Sequence, residues 1–144
     1  MNRLALYSIF IFFATLASGC KSTYKNISAE PDFLQYIGKT YVLKNNMSIH
    51  GINLPPGYSS RIDTYMISKL YEVHHKAPEE VTFAVLPKGS TITIIEVHEC
   101  TNCLSFQKLR EAYTTTEDFE KAVDVPISIP MHEIESKENV TPIK

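Results

Sequence analysis

Residues 81–97 read Val81-Thr82-Phe83-Ala84-Val85-Leu86-Pro87-Lys88-Gly89-Ser90-Thr91-Ile92-Thr93-Ile94-Ile95-Glu96-Val97. Val81, Phe83 and Val85 alternate with Thr82 and Ala84. Ile92, Ile94 and Glu96 alternate with Thr93, Ile95 and Val97. A period of two sends successive side chains to opposite faces, the pattern of a β-strand. Between the runs stands Pro87-Lys88-Gly89. Proline presets φ, and glycine takes bends closed to other residues. The stretch therefore predicts two strands joined as a hairpin.

Downstream, residues 104–114 read as a further strand whose alternation breaks near Lys108, as a bulge would break it. Residues 116–122 open on a threonine followed by acids, which suits the first turn of a short helix. Val125-Pro126-Ile127-Ser128-Ile129 reads as an edge strand, because proline gives a central ladder no donor. Upstream, residues 62–76 fit two periods. Ile62, Tyr65, Met66, Leu70 and Val73 suit a helix; Tyr65, Ile67, Lys69, Tyr71 and Val73 suit a strand. The aromatic and β-branched content favours the strand. Thr40-Tyr41-Val42-Leu43 opens the first strand, running toward Ile49. Residues 32–36 suit one helical turn packing Phe33 and Leu34, and Gly38 marks the break before that strand.

Five or six short strands in about a hundred residues imply an all-β fold, a small barrel or sandwich. Leu86-Pro87-Lys88-Gly89-Ser90-Thr91-Ile92-Thr93-Ile94 resembles the turn and strand opening of bacterial SH3-like domains. That resemblance implies an SH3-like barrel.

The N-terminus has a different composition. Arg3 precedes an apolar run, residues 4–17, broken only by Tyr7, Ser8 and Thr15. About fourteen residues span roughly 21 Å as a helix. A bilayer core of about 30 Å needs about twenty, so the run fits a cleavable signal better than a membrane span. It ends Leu16-Ala17-Ser18-Gly19-Cys20. These residues resemble the lipobox of bacterial lipoproteins. The resemblance implies diacylglycerol on the Cys20 thiol, cleavage just before Cys20 and acylation, commonly palmitate, of the new amine. Leucine is commonest three residues before that cysteine, where this chain has Ala17. Lys21 is not the aspartate that retains such proteins at an inner membrane, so the resemblance favours an outer membrane, facing the periplasm. A plain signal peptide cut after Ala17 is the competing reading. The expected organisation is a signal at 1–19, a polar tether at 20–31, one β domain at 32–134 and a polar tail at 135–144.

A net charge of −2 with scattered lysines and arginines offers no basic face for phosphates. The expected partners are a membrane, through the lipid, and an envelope protein or cell-wall component. Nucleic acid is not among them, and no cofactor is implied beyond the lipid.

Cys100-Thr101-Asn102-Cys103 is the strongest chemical signal in the exported part. In an oxidising compartment the pair reads as a disulfide at a hairpin tip. Two alternatives remain. Phe106, Leu109 and Tyr113 at helical spacing after C-x-x-C resemble the start of a thioredoxin site, without its flanking aromatic and proline. His98, Cys100 and Cys103, with His50 or His132, could instead supply zinc ligands. His74, His75, Glu79, Glu80, Glu117 and Asp118 read as solvated surface. No nucleophile elbow, phosphate cradle or paired-acid site is recognised, so no enzyme is expected. In the loop 51–60, Leu54, Pro55, Pro56 and Tyr58 offer a rigid contact surface for a partner.

Overall fold

The computed structural model describes residues 23–53, 61–71, 76–103, 108–121 and 124–143. The signal, Cys20, the contact residues Leu54, Pro55, Pro56 and Tyr58, and His74 and His75 lie outside them. The elements are β1 (Tyr24–Asn26), α1 (Pro31–Leu34), β2 (Thr40–Leu43), β3 (Met47–Ile52), β4 (Thr64–Lys69), β5 (Glu80–Leu86), β6 (Thr91–Cys100), β7 (Arg110–Thr115), β8 (Ile127–Pro130), α2 (Met131–Ser136) and β9 (Val140–Pro142). The all-β expectation holds. The described strands number nine rather than five or six, and they form one open sheet rather than a closed barrel.

The sheet runs β5-β3-β4-β8-β7-β6-β2-β9, with β1 also paired to β6. Among the described strands only β4 and β8 run parallel. The strand and turn assignments for 81–97 hold, but the hairpin does not form. β5 pairs with β3, and β6 pairs with β7, β2 and β1. The register explains why. Thr40 faces Thr93, Met47 faces Leu86 and Gly51 faces Thr82, one unbroken antiparallel register. Two chain segments, 40–51 and 82–93, therefore form one ribbon, and both bend at the same corner. There the Gly89 N–H donates to the Leu43 carbonyl, 2.9 Å, and the Lys88 N–H donates to Asn46 Oδ1, 2.8 Å. Gly89 sits at φ 94°, which suits glycine. The same corner divides the expected strand 40–49 into β2 and β3.

Strand β4 confirms the period-two reading over Thr64–Lys69, with Tyr65 and Ile67 buried. Tyr71, counted on the same face, is 69 % exposed, because the strand ends before it. In β6, Ile92 and Ile94 are buried and Ile95 is exposed, yet Val97 is buried again. A bulge between Ile94 and Glu96 resets the parity. The bulge expected near Lys108 is corrected: Lys108 precedes β7, which begins at Arg110, and the register shift of this pair lies on β6 instead.

Three peripheral readings are corrected. The tether joins the fold: Tyr24, Lys25 and Asn26 pair with Cys100, Glu99 and His98, and Ile27 enters the core. The polar tail expected at 135–144 is structured as far as Pro142: α2 continues into it to Ser136, Val140 is buried, and β9 pairs with β2. Polar composition misled because a few apolar residues, spaced over a helix and a strand, suffice to dock the segment. Finally, β8 is central, between β4 and β7. Pro126 stands just before it, where its carbonyl accepts the Tyr65 N–H at 2.8 Å, and Pro130 is its last residue. Neither proline interrupts the ladder.

Two smaller expectations change. Phe33 is buried in α1, but Leu34 is 59 % exposed. The described part of 116–122 contains no helix. The Asp118 N–H donates to Thr116 Oγ1, 3.2 Å, and Asp118 Oδ2 accepts the Thr91 N–H, 3.0 Å. The threonine forms a local turn instead of a helix cap.

Candidate functional site

Cys100 and Cys103 form a disulfide, with Cα atoms 5.7 Å apart. It closes the tip of the β6–β7 hairpin, where the Cys100 N–H donates to the Leu109 carbonyl, 2.9 Å. The loop also holds β1. The Thr101 N–H donates to the Thr23 carbonyl, 2.9 Å, and the Thr23 N–H to Asn102 Oδ1, 2.7 Å. So small a covalent loop contributes about 2 kcal/mol or less by chain entropy. Its main effect is to fix where β1 docks. The helical spacing of Leu109 and Tyr113 is not realised, since Arg110–Thr115 is a strand. The zinc set does not assemble. His98 bonds Glu96 at 2.6 Å, His50 bonds Glu80 at 2.7 Å, and the exposed His132 lies on α2 beside Glu133. Among the described residues no group of three or more His, Cys, Asp or Glu is placed to hold a metal ion.

Beside the disulfide, the outer face of β6, β7 and β1 carries a row of aromatic and acidic groups. The His98 ring stacks on Tyr113 with centroids 4.1 Å apart and planes 10° from parallel. The Tyr24 hydroxyl donates to Glu111 Oε1, 3.1 Å. Burial, then the Glu111 carboxylate, pushes the Tyr24 phenol up to about 12. Burial, then Glu111 and Glu96, raises Tyr113. On the opposite face the Arg110 hydrogen bond, with Lys108 assisting, lowers the Glu99 carboxyl. Arg110 also lies 5.0 Å from the centre of the Phe33 ring.

The Tyr24 shift has a measurable sign. Its folded pKa lies above its unfolded value, so its contribution is complete below pH 10 and is lost as pH rises through about 12. Stability measured by denaturant titration should fall across that window, and Tyr24→Phe should flatten the fall. An unchanged alkaline slope in the variant would show that Tyr24 is not the responsible group.

A groove of about 540 Å³ opens on this side, lined by Tyr24, Met66, Glu111, Met131, His132 and Glu135 among others. Its lining mixes apolar and charged side chains, which suits a ligand with both kinds of surface.

Sequence reasoning missed one cluster. Glu80, read as solvated, is 7 % exposed, and its Oε2 lies 2.7 Å from His50 Nδ1. His50 Nε2 lies 2.9 Å from Ser48 Oγ and 3.3 Å from Ser68 Oγ. Ser48 and His50, two apart on β3, share a face, and Ser48 stands opposite Ser68 of β4. The order acid, imidazole, hydroxyl is that of a nucleophilic triad. Here Ser48 is 2 % exposed, and its hydroxyl donates to the Ser68 carbonyl at 3.0 Å. The hydroxyl is spent inside the fold, and the network ties β3, β4 and β5 together. The i, i+2 spacing of Ser48 and His50 was visible in sequence. Their acid, thirty residues away, was not.

No protein-family model, curated protein or solved structure matches this chain.

Proposed function

We propose that the chain is a lipid-anchored module of the bacterial cell envelope, held by Cys20 on the periplasmic side of the outer membrane. Its work is binding or envelope structure rather than catalysis. The carrying observation is the apolar run at 4–17 ending in Ala17-Ser18-Gly19-Cys20. The Cys100–Cys103 disulfide supports it, because such bonds persist in oxidising compartments. β1 supports it too. Tyr24 is already paired to the sheet, so residues 20–23 would hold the domain close to the bilayer. That geometry suits a module presenting the Tyr24–Glu111 groove to a neighbouring envelope protein or wall fragment.

The test is Cys20→Ser in cells fed a labelled fatty acid. The wild-type chain should incorporate label and sediment with membranes. The variant should lose the label and move to the soluble fraction or stay uncleaved. Each buried methylene contributes about 0.8 kcal/mol, so loss of two or three acyl chains releases the protein. Retained label on the variant, or an unlabelled wild type, overturns the reading.

A further inference from the structure

The disulfide loop grips the residue that opens β1. The Thr101 N–H and the Thr101 hydroxyl both donate to the Thr23 carbonyl, at 2.9 and 3.1 Å. The Thr23 N–H donates to Asn102 Oδ1 at 2.7 Å, and the two threonine hydroxyls meet at 2.7 Å. Burial adds little there. Tyr24, Lys25 and Asn26 are exposed, and Ile27 is the first residue of the segment to enter the core. The disulfide pins Thr101 and Asn102 into a small ring at the start of the connection 101–108. Opening that ring returns both residues to a longer loop, which costs more entropy to hold in one shape.

We propose that the Cys100–Cys103 bond is a redox latch on β1: reducing it frees residues 23–26 while Ile27 stays in the core. Tyr24 then leaves the groove it lines and gives up its 3.1 Å bond to Glu111, so the groove widens on that side. A second consequence rests on the lipid-anchored reading above. With β1 latched, the chain from Cys20 to Thr23 spans at most about 11 Å; released to Ile27 it spans at most about 25 Å. Reduction thus lets the domain stand farther from the bilayer and changes the groove it presents.

The chemistry calls for a dithiol reductant. Cys100 is 9 % exposed and Cys103 is more open, so the reductant's thiolate attacks Cys103 Sγ. The S–S bond breaks, and Cys100 Sγ leaves with the electron pair and takes a proton. The reductant's second thiolate attacks its own sulfur in the mixed disulfide and expels Cys103, which is protonated in turn. The pair gains two electrons and two protons, and the reductant ends as a disulfide. A ring this small gains little from chain entropy, so the bond is open to such a reductant.

The test uses the full chain purified in detergent. Trypsin needs β1 out of the sheet to cut after Lys25, so cleavage there reports the released population. After treatment with dithiothreitol and alkylation, the fragment beginning at Asn26 should appear about tenfold faster or more than from oxidised protein. Cys100→Ser with Cys103→Ser should cleave fast without reductant. Amide exchange should rise at 23–26 and stay unchanged over 92–97 and 112–115. Equal cleavage at Lys25 in oxidised and reduced protein overturns the proposal. So does faster exchange across the core as well, which marks the bond as a general staple. Neither readout involves lipid, so a failed latch leaves the anchor reading standing. A failed Cys20→Ser test leaves the latch and removes only its effect on reach.

Discussion

Glu80→Ala should lower the stability of the domain by about 2–4 kcal/mol. That lies between the cost of orphaning a buried hydrogen-bonding group and that of breaking a buried ion pair. The side chains of Glu80 and His50 are 5 % and 18 % exposed, so water can offer little in exchange for the 2.7 Å contact. The effect should spread along the network. His50 Nε2 is hydrogen-bonded toward Ser48 and Ser68, and Ser48 bonds backbone carbonyls of β4. Freed from its carboxylate, the ring loses its orientation, and the serines lose a partner. Denaturant unfolding should show a lower midpoint with an unchanged slope. Adding His50→Ala should cost less than the sum of the single changes, because the second substitution removes the group the first one stranded. Fully additive effects, or a Glu80→Ala change within about 0.5 kcal/mol, would mean the pair is not a structural tie.

Neighbouring isoleucines supply the second large effect. Ile94→Ala should cost about 2–5 kcal/mol, the range for truncating a packed aliphatic side chain in a core. Ile95→Ala should stay within about 0.5 kcal/mol. Ile94 is fully buried and Ile95 is 48 % exposed. The contrast tests the bulge, because Val97 must then repeat the Ile94 result rather than the Ile95 result. Without a bulge, Ile95 and Val97 would share a face and behave alike. Thermal or denaturant midpoints of the three alanine variants decide it; similar losses at 95 and 97 would contradict the register seen between β6 and β7.

Much of the local structure was legible. Alternation identified β5, β6 and β4, because a strand's side-chain period depends only on its own residues. Pro87-Lys88-Gly89 marked a bend for the same reason. The C-x-x-C spacing placed the disulfide at the tip between β6 and β7. Misreadings began where one segment had to choose a partner. The bend at Gly89 looks alike in a hairpin and at a ribbon corner; only the β2–β3 segment, bending alongside, distinguishes them. Residues 21–31 and 135–144 looked like tether and tail because polar segments were judged by composition. The buried residues Ile27 and Val140 within them decide their docking.

By itself the sequence determined an all-β domain, the positions of its main strands and bends, and the cysteine pair. These rest on short-range steric and hydrophobic periodicity. Only the tertiary structure decided which strands are neighbours, that β8 lies inside the sheet, and that Glu80 meets His50. Strand pairing joins residues tens of positions apart. Backbone hydrogen bonds carry little residue-specific information, so the choice of partner rests on which arrangement buries the shared core, a property no single segment holds.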